Sequence, residues 1–243
     1  MPTWLVSDLH LEASRPEIAT QFLEFLAGDA RGADALYILG DLFEATIGDD
    51  DPDPHQSLIQ SALAQLTQQG VPVYLVHGNR DFLLGDGFCK TTGCTLLDDP
   101  TVVERYGQRV LLTHGDALCI DDVPYQRLRA LVRDPLWQRQ LRALSITQRQ
   151  ALAAQARAAS RAHTSTQAIP LMDVNSAAVE RLFRDADVPI LVHGHTHRPG
   201  VHPLSIDGKD RTRIVTGDWD RAGSVLRWDE SGFTLEHRPR PVG

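Results

Sequence analysis

The sequence predicts a layered α/β fold carrying a helical insertion, and three observations lead there. Six short apolar runs recur: WLV (4–6), ALYIL (35–39), VYLV (73–76), RVLLT (109–113), PILV (189–192) and RIVT (213–216). Most have too few polar alternations for half-exposed strands, so they read as strands buried on both faces. Helical patterns separate several of them, which argues for α/β layering. The stretch 124–168 breaks this rhythm, with helical composition throughout and no strand. It reads as a cap over the edge of the core.

The elements follow in order. Strand-like TWLVS (3–7) comes almost at once, so no signal peptide is expected. EIATQFLEFL (17–26) sets Ile18, Phe22, Phe25 and Leu26 on one helical face. DDDPDP (49–54) reads as a solvated acidic loop. SLIQSALAQLTQQG (57–70) reads as a helix opened by a serine cap at Ser57 and stopped at Gly70. Two or three helices are expected in the cap, and another in NSAAVERLFRDA (175–186).

Composition narrows the partners. The net charge of −8 argues against a general nucleic-acid binder. The charge is uneven, however: residues 124–168 hold eight arginines and one acid, Asp134. A basic block in an acidic chain points to an anionic partner, although a solvated arginine-rich helix would have the same composition. Cys89, Cys94 and Cys119 are an odd number without CxxC spacing, which fits a reducing compartment. No apolar run approaches the roughly 20 residues of a membrane span, so any membrane contact must be peripheral.

Function is concentrated where strands end. The first five runs are followed by SDLH, LGDLFE, HGNRD, THGD and HGHTH. They bring Asp8, His10, Asp41, Asn79, His114, His195 and His197 to the strand ends, the edge where open α/β sheets bind ligands. Each cluster alone could be an ordinary turn. Together they repeat one grammar, a glycine then a polar donor. His195 and His197, at i and i+2 of an extended segment, would face the same side.

Seven donors exceed a closed tetrahedral site. If Asp41 bridges, one ion takes Asp8, His10, Asp41 and His197, and a second takes Asp41, Asn79, His114 and His195. Mixed imidazole and carboxylate donors suit Mn²⁺, Fe²⁺ or Zn²⁺, with Mn²⁺ the first choice, and the absence of thiolate argues against structural zinc. Two adjacent ions suit phosphoryl hydrolysis. The neutral Asn79 supplies an oxygen without adding charge that would repel an anionic substrate.

The ordered motifs DxH, GD, GN[HR]D, H and GHxH resemble those of the calcineurin-like metallophosphoesterases. That resemblance implies a β-sheet sandwich flanked by helices, as one domain over 1–243 with a helical cap at about 124–168. Most of that superfamily has histidine after the asparagine, and this chain has Arg80. GNRD, with SDLHL, GDLFE, HGD and HGHTHRP, is similar to the UDP-2,3-diacylglucosamine diphosphatase family of Gram-negative lipid A synthesis. The resemblance implies hydrolysis at the α-phosphorus of a lipid-linked UDP-sugar, releasing UMP and a diacylglucosamine 1-phosphate. It also implies Mn²⁺ and a peripheral place on the cytoplasmic face of the inner membrane. Residue by residue, it carries substrate contacts onto Asn79, Arg80, Asp122, Ser160 and His195. It carries them also onto Thr164 and Gln167, where better-known members tend to have asparagine and lysine.

The cap residues agree with this. Arg157, Ser160, Thr164 and Gln167 recur at helical spacing as one stripe, which by itself reads as an ordinary polar helix face and takes a substrate role only from the resemblance. Leu128, Leu131, Val132, Leu136, Trp137, Leu141, Leu144 and Ile146 could line an acyl groove or pack the cap's own core. The arginines would suit an anionic lipid surface. Arg80 is expected to bind and neutralise the diphosphate rather than donate a proton. A phosphate-monoester leaving group, with a second pKa of about 6, departs without much acid help. A monomer is expected, because no self-complementary apolar surface stands out. Two other readings stand beside this one. One is a soluble metallophosphoesterase acting on a nucleotide or phosphoprotein. The other is a non-catalytic module on the same fold, against which every ligand position is filled.

Overall fold

A computed structural model describes residues 1–166, 173–220 and 222–239, without the side chains of 159–166. The six expected runs are strands: β1 (Thr3–Val6), β2 (Ala35–Leu39), β3 (Val73–Val76), β6 (Gln108–Leu112), β7 (Ile190–His193) and β9 (Lys209–Val215). Five further strands were not expected: β4 (Thr95–Leu97), β5 (Thr101–Arg105), β8 (Gly200–Ile206), β10 (Ala222–Asp229) and β11 (Gly232–Pro239). β5 alternates half-buried and exposed residues, and β8 contains Pro203. Both are sheet edges, where one solvated face and a proline are tolerated.

The strands form two sheets, ordered β11-β10-β1-β2-β3-β4 and β5-β6-β7-β9-β8. The central pairs β1–β2, β2–β3, β6–β7 and β7–β9 are parallel. Antiparallel strands flank them, β10 beside β1 and β8 beside β9.

Period-2 alternation divides each strand between two cores. Leu5, Tyr37, Leu39 and Val76 face Val110, Leu112, Val192 and Ile214 in the layer between the sheets. Val6, Leu36, Ile38 and Leu75 turn outward, against helix α1 (Pro16–Ala27) and helix α2 (Pro54–Gln68). Ile18, Phe22, Phe25 and Leu26 are all buried in that layer, as their spacing required. On the far face Leu111 and Leu191 meet Val179 and Phe183 of helix α7 (Ser176–Ala186). The result is a sandwich of two sheets with helices outside, the expected architecture.

Two local expectations are corrected. Helix α2 begins at Pro54 and is capped by Asp53, whose Oδ1 accepts the His55 N–H at 2.9 Å. Ser57 is therefore an interior residue; a proline at the first turn with an aspartate before it is the stronger start signal. The acidic loop 49–54 is likewise not merely solvated. Asp49 accepts the N–H groups of Gly85 and Gly87, at 2.7 and 2.8 Å, beside the start of helix α3 (Asp86–Thr92).

Between β6 and β7 lie helices α4 (Val123–Val132), α5 (Pro135–Arg142) and α6 (Ile146–Thr166), within the segment expected as the cap. Neither α4 nor α5 has a fully buried residue.

Candidate metal centre and adjoining cavity

All seven expected donors converge where β1, β2, β3, β6 and β7 end. The loops are first stitched by backbone: Asp8 N donates to Gly40 O at 3.1 Å, and His10 N to Asp41 O at 2.9 Å. Asp8, His10, Asp41, His195 and His197 all adopt positive φ, between 48° and 68°. Left-handed backbone at non-glycine residues is uncommon and costs energy, and such residues gather at functional sites. Here it turns side chains back over the strand ends. The loops also approach too closely for a β-carbon at Gly78, which would lie 2.1 Å from Asp41 Oδ1.

The donors face one another. Asp41 Oδ2 lies 3.7 Å from His10 Nε2 and 3.8 Å from His114 Nε2, between the two groups of donors. His10 Nε2 is 3.3 Å from His197 Nε2, which is 3.5 Å from Asp8 Oδ1. On the other side Asn79 Oδ1 sits 2.9 Å from His114 Nε2 and 3.0 Å from His195 Nδ1. The ligand atoms of Asp8, His10 and His197 lie within 4.8 Å of one another, as do those of Asp8, Asp41 and His114. His195 and His197 thus serve opposite halves of the centre. Their segment is not extended, since both have positive φ, and this corrects the same-face expectation.

A second layer of acceptors was missed. His10 Nδ1 faces Glu44 Oε2 at 3.0 Å, His114 Nδ1 faces Leu39 O at 2.9 Å, and His197 Nδ1 faces Asp218 Oδ2 at 3.2 Å. Such partners fix the tautomer and leave the other ring nitrogen for a metal. Ser7 Oγ donates to Asp8 Oδ2 at 2.5 Å. Asp81, fully buried, accepts from Leu42 N and Gly78 N at 2.8 and 2.7 Å, joining the GD and GNRD loops. Glu44 and Asp81 stand inside motifs already singled out. Asp218 follows Gly217 after the sixth run, so the same glycine-then-donor grammar would have found it.

Charges in the centre are strongly coupled. Burial raises the Asp8 carboxyl, but the hydrogen bond and charge of His197, with His114 and His10, outweigh it and hold Asp8 below the carboxylate range. Burial raises Asp41. Burial disfavours charge on His114, yet Asp41, Asp116 and Asp8 push it up to about 9. Burial and the charge of His114 push His195 down to about 3. His197, the most exposed of the seven, is also opposed by burial but is raised to about 10 by Asp218 and Asp8. Crowded imidazoles and carboxylates with aligned free ring nitrogens fit divalent cations.

Arg80 adjoins the centre. Its N–H donates to Asp41 Oδ1 at 2.9 Å, and its guanidinium is 3.9 Å from Glu44 Oε1. It lines a cavity of about 300 Å³ whose polar lining includes Asn79, Arg80, Arg129, Arg133, Arg149 and Arg157. Its apolar lining includes Phe82, Leu128, Val132, Trp137, Leu141 and Leu152. Four of the eight proposed groove residues are therefore in the wall. Leu131, Leu136 and Ile146 are exposed outside it, and Leu144 is half-buried. Asp122 caps α4, accepting the Tyr125 N–H at 3.0 Å, and lies outside the lining. The side chains of Ser160 and Thr164, and all of Gln167, lie outside the described residues.

The arginine surplus also has a second use. Arg129 bonds Asp116 and Asp99, Arg133 bonds the carbonyls of His77 and Gly78, and Arg142 bonds Leu83 O. Arg149 bonds Ile47 O and Asp50. Four of the eight cap arginines thus turn inward to the core rather than outward to a lipid surface.

Fold and centre define a metallophosphoesterase, and the sequence agrees: residues 1–199 match the calcineurin-like phosphoesterase family, to which the chain belongs. That family binds divalent metal ions. A relative from Pseudomonas fluorescens (strain Pf0-1) is 52% identical over 95% of this chain and 93% of its own, and is named UDP-2,3-diacylglucosamine hydrolase. One of the same name from Pseudomonas aeruginosa (strain UCBPP-PA14) is 51% identical over 99% of both chains. Within the phosphoesterases, the chain belongs to the family of these hydrolases.

Proposed function

We propose that this protein is a UDP-2,3-diacylglucosamine hydrolase. Water attacks the α-phosphorus, and the products are UMP and 2,3-diacylglucosamine 1-phosphate. The observation that carries the reading is one cavity joining a metal-type donor cluster, through Arg80, to an apolar wall. A lipid diphosphate needs all three together. The relatives' shared name supports it.

Asp8, His10, Asp41 and His197 would hold one ion, and Asp41, Asn79, His114 and His195 a second, with Mn²⁺ the proposed metal. When bound, such ions supply a nucleophile near neutral pH and neutralise phosphoryl charge. The chain's own residues do the rest. Glu44, Leu39 O and Asp218 orient three imidazoles. Arg80 neutralises the diphosphate, held by its backbone bond to Asp41. Asn79 contributes an uncharged oxygen, so phosphate anions meet less repulsion. Leu128, Val132, Trp137 and Leu141 shelter acyl chain from water. Asp122, Ser160, Thr164, Gln167 and His195 complete the proposed substrate contacts.

We take the chain as one metallophosphoesterase domain with its cap inserted at about 124–168, acting as a monomer. Its proposed place is the cytoplasmic face of the inner membrane, bound peripherally, with no nucleic-acid partner. No helix among the described residues is long and apolar enough to cross a membrane, and exposed Leu128, Leu131 and Leu136 offer a surface for lipid.

The test offers purified protein with Mn²⁺ three substrates in parallel: UDP-2,3-diacylglucosamine, bis(p-nitrophenyl) phosphate and a dinucleoside polyphosphate. UMP release from the lipid at a much higher kcat/KM supports the proposal. Preference for the soluble substrates would sink it, and no turnover of any would favour a non-catalytic role.

A further inference from the structure

Helix α6 lines the cavity through Arg149, Leu152, Ala153, Ala156 and Arg157. Among the described residues, its hydrogen bonds to the core leave from one side chain, Arg149. That arginine is only 4% exposed. Nη1 donates to Ile47 O at 2.7 Å and to Asp50 Oδ1 at 2.6 Å; Nη2 donates to Asp50 Oδ2 at 2.5 Å. Nε donates to Leu144 O at 3.2 Å, so all three nitrogens are used. A forked arginine–carboxylate pair fixes direction as well as distance.

The loop holding Asp50 is itself fixed. Gly48 has φ +128°, and a β-carbon there would lie 3.1 Å from Arg149 Nη1. Asp49 ties the loop to Gly85 and Gly87, and Asp51 accepts the Ile47 N–H at 3.2 Å. Helix α4, which also lines the cavity, is held at more points, through Arg129 and Arg133. Among the described residues, α6 is therefore tied to the core through Arg149, and Asp50 is the one charged group that Arg149 meets there. Asp50 does not line the cavity, so it can be changed without altering the lining itself.

We propose that Asp50 and Arg149 are positioning residues that set where the α6 wall stands, and through it the fit of an acyl-bearing substrate. The inference rests on the lipid-substrate reading above. With the pair broken, α6 swings on its short connection from α5, and the apolar wall no longer meets the acyl chains. The metal centre keeps its geometry, because none of its donors touches the pair.

The test is steady-state kinetics of the Asp50→Ala protein with Mn²⁺, on UDP-2,3-diacylglucosamine and on bis(p-nitrophenyl) phosphate. Amide hydrogen exchange across residues 150–158 is followed in parallel. The lipid KM should rise about tenfold, while kcat and the small-ester rate stay within about twofold and exchange in α6 accelerates. The conservative Asp50→Glu protein, which keeps a carboxylate for Arg149, should hold the lipid KM to within about threefold of the original. An unchanged KM in the Asp50→Ala protein overturns the proposal, as does an equal loss on both substrates. If the unaltered protein cleaves the small ester but never the lipid, the substrate reading falls instead. Exchange then decides whether Asp50 and Arg149 position α6: acceleration in the Asp50→Ala protein supports it, and unaltered exchange overturns it.

Discussion

The metal centre and the cap are built by opposite means. The centre uses left-handed turns, the buried side chains of Asp8, His10, Asp41 and His114, and paired ring nitrogens, so little can move without breaking a contact. The cap has no fully buried residue in α4 or α5 and is held by arginine staples onto core carbonyls and carboxylates. Chemistry needs fixed donors, whereas an acyl site must admit long, flexible chains. The difference teaches that the same layered core can carry a backbone-stitched donor centre beside helices fastened to it by side chains.

Substitutions in the two regions should therefore differ sharply in effect. Asp41→Asn should be the most damaging, because Asp41 Oδ2 stands between both groups of donors. A loss in kcat on the order of 10³-fold or more is expected, with metal content reduced by elemental analysis. Arg80→Ala should lower kcat/KM for the lipid roughly 100-fold while metal content stays constant. Unchanged activity would remove Arg80 from the diphosphate site. Glu44→Gln should weaken metal binding roughly 10- to 100-fold by loosening His10, as measured by competition with a chelator.

Acidity tests the same contrast. His114 and His197 are raised to about 9 and about 10, so without metal both carry protons at neutral pH. A metal binds the neutral imidazole, so loading must release protons, and affinity should strengthen as pH rises toward 9 to 10. Calorimetry in buffers of differing ionisation enthalpy should register about one to two protons released near neutral pH. No release would mean that these two histidines are not ligands. The smallest effect belongs to the cap: Leu136→Asp, at an exposed position, should weaken binding to anionic vesicles by less than about tenfold and leave small-ester hydrolysis unchanged.

Much of the centre was legible because its donors are local. Each follows a strand within a few residues, and the glycine-then-donor grammar needs no partner to be recognised. What escaped depends on distance along the chain. Glu44 meets His10 from 34 residues away, and Asp218 reaches His197 across two intervening strands. Strands β10 and β11 escaped for another reason. They form a hairpin with mixed burial, and β10 is anchored by pairing with β1, more than two hundred residues earlier.

The sequence by itself determined which donors exist, their order, the layered architecture, and an arginine-rich helical insertion. These are set by residue chemistry and by periodicities of two and 3.6, which act over a few neighbours. Only the tertiary structure decided that five of the candidate donor residues turn left-handed, that His195 and His197 part to opposite sides, and that four cap arginines face inward. Composition supplies a charge but no direction. Direction comes from carbonyls and carboxylates that would otherwise be buried without a partner, and the fold alone brings those within reach.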